Sequence, residues 1–463
     1  MQLLENIAKF LPEVKGPLQK RLSFKEKLKW TLIVLVLFFV LSLIPLYGLG
    51  QNSLQQFEFL SIILGASFGS IMSLGIGPLV TASIVLQLLK GTGILKMDVH
   101  TPEGRKQYQA LQKVASIFFI IFEAAIYVFM GGLAPDQSLV GTSAYLQFQL
   151  ILVFQLCLGG LMVMLMDEVC SKWGFGSGIS LFIAAGVAQQ IFIQAFNFLP
   201  APNNPSGFAS GKIPELFQAL AAGETQTVAL NLAEIAATIA VFAVSVYGQA
   251  MKVDIPLSFG RVRGYGIRWA LNFFYTSNIP VILTAALMAN IQLAATMLER
   301  IGHPWLGTFS GGSPVSGFVY WIHAPPMIEN LIRGSFVWQN VIQALDYILL
   351  MVVGAVLFSV FWVQTAGMDA KSQAKQILAS GLQMPGFRRD ERVMEKVLER
   401  YIWPLTIIGG AAIGVLASFA DLTGALSRGT GILLTVMIVY RLYEDIAKQH
   451  MEDMFPALRK FMQ

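Results

Sequence analysis

Ten long apolar runs, separated by segments that hold most of the charge, dominate the pattern of the chain. They lie near 30–49, 75–89, 114–131, 144–166, 177–198, 230–250, 270–298, 341–364, 401–420 and 429–440, the last one short unless it extends into 440–443. About 20 apolar residues cross a bilayer as an α-helix. The pattern therefore predicts an all-α, polytopic membrane protein with ten transmembrane helices.

Composition supports this class and excludes others. Of the 463 residues, 55% are hydrophobic and only 13% are charged, and the mean hydropathy is +0.63. A typical soluble domain carries about 25% charged residues, so disordered chains, coiled coils and soluble nucleic-acid binders do not fit. Two cysteines, Cys157 and Cys170, are too few for a disulfide framework.

The basic residues predict the orientation. With the N-terminus in the cytosol, 32 Lys and Arg residues all fall on the cytosolic side except Lys212, Arg300, Arg333 and Arg428. Because cytosolic loops of membrane proteins are enriched in Lys and Arg, we expect both termini to be cytosolic and the chain to be multi-pass in the cell membrane.

The expected organisation along the chain starts with a cytosolic segment 1–29 and an N-terminal half 30–250. The last span within 30–250, the sixth, starts near 226 and already belongs to the second half. It is followed by a loop 251–268, spans 269–365, a loop 366–400, spans 401–445 and a tail 446–463.

Two of the cytosolic connections, 251–268 and 366–400, are long and basic. They contain the arginines Arg261, Arg263, Arg388, Arg389 and Arg392 on segments shaped by Gly and Pro. Solvated linkers would satisfy the orientation rule equally well, but the paired arginines favour a docking surface for a large anionic partner.

The stretch 54–89 is too long for one ordinary span and is interrupted by glycines before Pro78. A short apolar half-helix at 55–63 is predicted to precede a Gly-rich break and a second helix from Pro78 to Leu89. Irregular backbone at membrane depth is tolerated where protein or water covers it. The half-helix is therefore expected to face a cavity, the alternative being a merely kinked span.

Four short segments repeat one design, a small or turn-prone lead followed by an aliphatic helix. They are GIGPLV (75–80), GSGISL (176–181), SNIPVI (277–282) and GTGILL (429–434). They fall in spans two, five, seven and ten, so five spans plus five predict two inverted, pseudo-symmetric halves with the functional centre between them.

The same segments carry aliphatic pairs at helical spacing, such as Ile76 with Val80 and Ile179 with Ile183. Pairs at this spacing share a helix face. Four such helices around one pore would form an aliphatic collar that excludes ions by dewetting. Ordinary packing between membrane helices explains aliphatic pairs as well, and the spacing alone does not decide between the two.

With these motifs the sequence resembles the SecY family of protein-conducting channels, in particular its archaeal members. The most specific stretches are LGIGPLVTASIVLQLL (74–89), GSGISLFIAAG (176–186), SNIPVILTAALMANIQL (277–293), FWVQTAG (361–367) and GTGILLTVMIVYR (429–441). The resemblance implies a passive channel that translocates unfolded secretory chains and releases hydrophobic segments sideways into lipid. It also implies small gamma/E-type and beta-type partner subunits and a ribosome or other cytosolic driver.

The resemblance further implies roles for particular residues. The pore ring would consist of Ile76, Val80, Ile179, Ile183, Ile282 and Leu434. The plug would be the short helix at about 55–66, the lateral gate would lie between spans two and three and spans seven and eight, and the ribosome-docking loops would carry Arg261, Arg263, Arg388 and Arg389. No cofactor, metal or catalytic residue is expected.

Glu123 is the deepest acidic residue, in the middle of span three. An ionised carboxylate at mid-bilayer costs at least about 2.5–3.5 kcal/mol, so Glu123 must be protonated, paired or in water. The resemblance places it at the lateral gate beside Thr81 and Asn290. We expect these three side chains to hydrogen-bond to one another and to hold the gate shut. The simpler alternative is an interhelical hydrogen bond that has no gating role.

Two other classes of protein share parts of this pattern. A solute transporter would also have inverted repeats, but it needs polar groups at its centre, and here only Glu123 offers charge. An intramembrane serine protease would need a His near Ser177, whereas all four histidines fall in loops or tails. There is no phosphate-binding loop, so we expect a passive channel and not an enzyme.

Overall fold

The structure, a computed structural model, describes residues 11–18, 22–52, 66–95, 97, 101–200, 207–259, 266–310, 313–379, 382–383, 390–426 and 429–454. Over these residues the helices are α1 (Phe24–Ser42), α2 (Gly77–Gly91), α3 (Pro102–Phe129), α4 (Ser143–Trp173), α5 (Gly178–Phe196), α6 (Lys212–Ala222), α7 (Thr225–Ala250), α8 (Ile279–Arg300), α9 (Phe318–Trp321), α10 (Met327–Ile332), α11 (Trp338–Thr365), α12 (Ala370–Ala379), α13 (Glu391–Leu422) and α14 (Gly429–Met454).

Ten of these helices correspond to the ten predicted spans, so the ten-helix, all-α fold is confirmed. Eight are long and apolar enough, by length and composition, to cross a membrane. The other two, α1 and α14, match predicted spans but carry charge at one end, for example Lys25 and Lys27 in α1 and Arg441 and Glu444 in α14. Those charges lie on the side that the basic residues identify as cytosolic.

Several helices extend beyond their apolar runs. The helix α3 starts at Pro102 rather than near 114, and α13 starts at Glu391 rather than near 401. Each extension begins with a side-chain cap, since Thr101 Oγ1 accepts from the Gly104 amide and Asp390 Oδ1 from the Arg392 amide. Polar residues continue a capped helix into water, and hydropathy alone does not detect that continuation.

The two basic cytosolic connections form one packed structure. Strands β3 (Lys252–Phe259) and β4 (Gly266–Asn272) pair antiparallel, and β7 (Leu382–Gln383) adds to the other side of β3. Beneath this sheet, a buried cluster joins residues of the strands, α12 and the start of α13, including Ile255, Leu271, Ile377 and Leu398. Neither connection is therefore a loose linker over its described residues.

Two small two-stranded sheets lie on the opposite side of the molecule. Strand β1 (Gln51–Asn52) pairs with β2 (Leu133–Ala134), and β5 (Phe309–Ser310) pairs with β6 (Ser313–Pro314). Between α8 and α11, Val319 and Ile322 of the short helix α9 and the turn after it pack against Ala295 of α8. This outer region thus rests on the C-terminal part of α8, just beyond the predicted gate residue Asn290.

Candidate functional site

Four helices begin at the four repeated segments. They are α2, α5, α8 and α14, which start at Gly77, Gly178, Ile279 and Gly429. Two positions before the first three of these starts, the backbone takes a positive φ, at Gly75 (53°), Gly176 (72°) and Ser277 (58°). Such angles suit glycine, and Ser277 is the only non-glycine residue with a positive φ in the described part of the chain. The repeated turn supports the assignment of these helices to two related halves.

The predicted pore-ring residues come together where these helices meet. Ile76, Val80, Ile183, Ile282 and Leu434 are each at most 5% exposed and belong to one continuous apolar cluster. Ile179 is partly buried and packs against the same cluster. We call these six side chains the collar. Residues from both halves of the chain thus meet in one apolar cluster.

A cavity borders the collar. It has a volume of about 610 Å³, and its wall includes the collar residues Val80, Ile179 and Ile282. Apolar side chains such as Leu79, Phe175 and Trp362 share the wall with polar and charged ones, among them Gln87, Arg105, Gln109, Gln112, Asp167, Asn278, Arg441 and Asp445. The cavity lies on the side that the basic residues predict to be cytosolic. Three of the six collar residues therefore border a space whose lining is partly apolar and partly polar.

The three predicted gate residues hydrogen-bond to one another. Asn290 Nδ2 on α8 donates to Thr81 Oγ1 on α2 at 2.9 Å, and Thr81 Oγ1 lies 2.9 Å from Glu123 Oε1 on α3. The Thr81 hydroxyl proton is shared between that carboxyl and the Gly77 carbonyl oxygen, also at 2.9 Å. The structure thus places Thr81 between spans three and seven, although these contacts do not by themselves establish a gating role.

Two further hydrogen bonds cross the same boundary. Lys90 Nζ at the end of α2 donates to the Gln364 carbonyl oxygen of α11 at 3.2 Å. Arg300 Nη1 at the end of α8 donates to the carbonyl oxygen of Gly131, just after α3, at 2.9 Å. Spans two and three are therefore joined to spans seven and eight at both ends as well as in the middle. The sequence does not reveal these bonds because both acceptors are main-chain oxygens.

Some predicted residues lie outside the described part of the chain. These are the docking arginines Arg261, Arg263, Arg388 and Arg389, and the plug segment 55–66 apart from Ala66. Of the basic residues singled out in the two cytosolic connections, Arg392 is described and is exposed at the start of α13.

Comparison with known proteins agrees with this geometry. The SecY family model matches residues 70–443, and the model of the plug domain of Sec61p matches residues 36–69. The protein translocase subunit SecY of Methanothermobacter thermautotrophicus is 46% identical over 462 residues, covering 99% of this chain and 98% of its own length. The corresponding subunit of Pyrococcus furiosus is 44% identical and covers 98% of this chain and 97% of its own length.

Solved structures show the same fold. A protein-conducting channel superposes with a TM-score of 0.84 at 40% identity, covering 98% of this chain and 99% of that chain. Sec61 in a canine ribosome–channel complex from the endoplasmic reticulum superposes with a TM-score of 0.79 at 39% identity, with the same coverage. With a family model spanning most of its length and relatives above 40% identity along all of it, the chain belongs to the SecY family of protein translocase subunits.

Proposed function

We propose that this chain is the central, pore-forming subunit of a protein-conducting channel that passes unfolded secretory polypeptides and releases their hydrophobic segments sideways into lipid. The observation that carries the proposal is the position of the collar. Six aliphatic side chains from four helices belong to or pack against one apolar cluster, and three of them border a cavity that also has polar and charged lining. An aliphatic constriction between two wet spaces excludes ions by dewetting and needs no charged filter.

The collar residues suit a seal that must yield to a threaded chain. Five of the six are Ile or Val, whose branched side chains have few rotamers, so the constriction keeps its shape when the channel is empty. Apolar contacts are non-directional. A passing polypeptide of any sequence can therefore replace them without leaving specific polar partners unsatisfied.

The lateral gate in this proposal is the boundary crossed by the three sets of hydrogen bonds. Interhelical hydrogen bonds in membrane proteins contribute about 0.6 kcal/mol on average, so a few of them hold the boundary closed only marginally. A hydrophobic signal sequence that gains free energy by lying between the helices and lipid tips this balance toward opening.

The proposed partners are the small gamma/E-type and beta-type subunits, a ribosome or other cytosolic driver, and signal sequences. A related channel, Sec61, has been solved in a ribosome–channel complex, and the packed cytosolic sheet offers a fixed support for the basic connections that carry the docking arginines. The proposed location is the cell membrane, with both termini in the cytosol, as the distribution of Lys and Arg supports.

Replacing Asn290 tests the gate. Asn290→Ala removes the bond between α8 and α2 without adding apolar surface, so the open state gains by about 0.6 kcal/mol, or about threefold in population. We expect the variant to translocate precursors with weaker, less hydrophobic signal sequences. The double variant Asn290→Leu with Glu123→Leu replaces polar side chains on α8 and α3 by apolar ones and leaves the Thr81 hydroxyl its bond to the Gly77 carbonyl oxygen. Such an exchange is neutral or favourable, and we expect this variant to demand more hydrophobic signals.

The measurement is translocation into vesicles of a precursor series graded in signal hydrophobicity. Thr284→Val is the matched control, because the Thr284 hydroxyl on the same helix bonds only the Pro280 carbonyl oxygen one turn away. The same signal threshold in wild type, Asn290→Ala and the double variant would contradict the gate role.

A further inference from the structure

Each half of the chain contains an aspartate, near the end of one span, that holds the start of the next span. In the first half, Asp167 Oδ1 of α4 accepts from the Ile179 amide of α5 at 3.0 Å and from Ser177 Oγ at 3.2 Å. In the second half, Asp421 Oδ1 of α13 accepts from the Thr430 amide of α14 at 2.7 Å, and its Oδ2 accepts from Thr430 Oγ1. A carboxylate at the positive end of a helix dipole is favourable.

The two arrangements share their main features and differ in register. In each, the bonded amide belongs to the second residue of the helix, but the bonded hydroxyl belongs to Ser177, just before α5, in the first and to the amide-bearing Thr430 itself in the second. In each, the first residue of the helix is a glycine against the preceding span. A Cβ on Gly178 would lie 2.6 Å from Asp167 Cα, and one on Gly429 would lie 2.0 Å from the carbonyl carbon of Ala420. Neither glycine can gain a side chain without moving the helix away from its aspartate.

Both bonds lie close to the collar. Ile179 is itself a collar residue, and Ile183 follows it by four positions, as Leu434 follows Thr430. Four residues of α-helix rise about 6 Å and return to the same face. The depth and rotation of each helix at its first turn therefore determine where its collar side chain projects, one turn further along.

We propose that Asp167 and Asp421 are positioning residues that set the alignment of the collar from opposite ends of the membrane domain. This inference rests on the proposed function, because it assigns these residues to the seal of the same channel. The two sites lie on opposite sides because α4 and α13 run in opposite directions in the predicted topology. Asp421 has a third partner, the Tyr347 hydroxyl of α11, which donates to Oδ2 at 2.6 Å.

The seal can be tested by substituting the aspartates in the complete channel complex, reconstituted in planar bilayers and in vesicles. Asp167→Ala and Asp421→Ala each remove charge-assisted hydrogen bonds from a collar helix. We expect the ion conductance of the resting channel to rise at least about tenfold. Asp421→Asn keeps an acceptor for the Thr430 amide, so it is expected to restore most of the seal, a recovery that a general loss of stability would not give.

Two matched controls remove an acidic side chain beside each site. Glu168 is next to Asp167 but pairs with Lys172 and Lys113 rather than with α5, and Glu168→Gln removes its charge. Asp346 is next to Tyr347, and Asp346→Asn removes its charge in the same way. Both are expected to keep wild-type resting conductance. Tyr347→Phe and Ser177→Ala each remove a single hydroxyl and serve if an alanine variant does not fold. We expect them to raise the conductance by about twofold to fivefold.

The outcomes separate this inference from the proposed function. Failure of wild-type vesicles to translocate a precursor would overturn both. If the aspartate variants fold, translocate a precursor and keep wild-type resting conductance, the positioning role alone is overturned. If the alanine variants do not fold, the same result in Tyr347→Phe and Ser177→Ala overturns it. Equal leaks in Asp421→Asn and Asp421→Ala would also contradict it, because the seal would then not depend on the retained acceptor.

Discussion

Ser277 combines an unfavourable backbone conformation with a place in the repeated turns. It has a φ of 58°, two positions before α8, where the other described turns of this kind have Gly75 and Gly176. The left-handed region costs a residue with a Cβ about 1–2 kcal/mol. The Ser277 hydroxyl donates to Asn278 Oδ1 at 3.1 Å, a bond that recovers part of this cost in the turn leading to the collar residue Ile282.

Ser277→Gly is therefore expected to stabilise the protein. Relief of the backbone strain exceeds the added entropy of glycine in the unfolded chain, about 0.4–1 kcal/mol, and we expect a higher thermal midpoint. Ser180→Gly, in the first turn of α5, is the matched control and should lower the midpoint, because glycine is a poorer helix former than serine. Thermal unfolding in detergent measures both. A lower midpoint for Ser277→Gly would show that the turn is not strained.

At this scale the sequence predicted less of the site than it did of the fold. Glu123, Thr81 and Asn290 could be brought together through the resemblance, since Thr81 and Asn290 occupy recognisable motifs and Glu123 is the deepest acidic residue. Arg300 and Lys90 could not be placed at the gate, because their partners are carbonyl oxygens that no side chain identifies. Asp167 and Asp421 went unnoticed for a similar reason, since each bonds a main-chain amide.

At the scale of elements, close packing sets the break before α2. The 3-10 turn Ile71–Leu74 lies against α4, where a Cβ on Gly159 would approach the Ile71 carbonyl oxygen to 2.0 Å. A Cβ on the next residue, Gly160, would lie 2.8 Å from the Cγ2 methyl group of the Ile120 side chain. Because backbone atoms move less readily than a side chain, an added Cβ is expected to cost more stability at Gly159 than at Gly160.

Alanine substitutions at Gly159 and Gly160 compare the two contacts directly. Gly159→Ala should push the 3-10 turn away from α4 and move the collar residue Ile76 that follows it. We expect a loss of about 1–3 kcal/mol of stability and a leak of ions through the resting channel. Gly160→Ala should cost less, because Ile120 can change rotamer. Thermal unfolding and bilayer conductance measure the two effects, and equal values for both variants would contradict the packing described here.

The ten spans followed from hydropathy because each is a continuous apolar run, and the helix starts at Gly178 and Ile279 followed from the repeated leads. The cytosolic sheet was not predicted, although both strands alternate. Apolar residues occupy every second position of β3 (Val253, Ile255, Leu257 and Phe259) and of β4 (Ile267, Trp269 and Leu271), but the hydropathy pattern assigns both segments to a connection and a span. Their burial depends on α12 and α13, a tertiary contact that periodicity does not encode.

For the whole molecule, we propose that two halves of one chain close a single aliphatic collar beside the cavity. Inverted repeats predicted the position of the collar, because related helices meet where the halves meet. Burial alone does not separate a collar from ordinary helix packing. The cavity that borders Val80, Ile179 and Ile282 favours the collar, and a polypeptide in transit tests it.

Crosslinking of a stalled secretory chain provides that test. In protein with Cys157 and Cys170 replaced by Ala, single cysteines are placed at Ile76, Ile179, Ile282 and Leu434, and at Ile239, which is 63% exposed on α7, as the control. A photo- or thiol-reactive probe at one position of the stalled chain reports its neighbours. We predict crosslinks from that one position to all four collar sites and none to Ile239. Crosslinks that spread over distant positions of the stalled chain, or that favour Ile239, would contradict the collar.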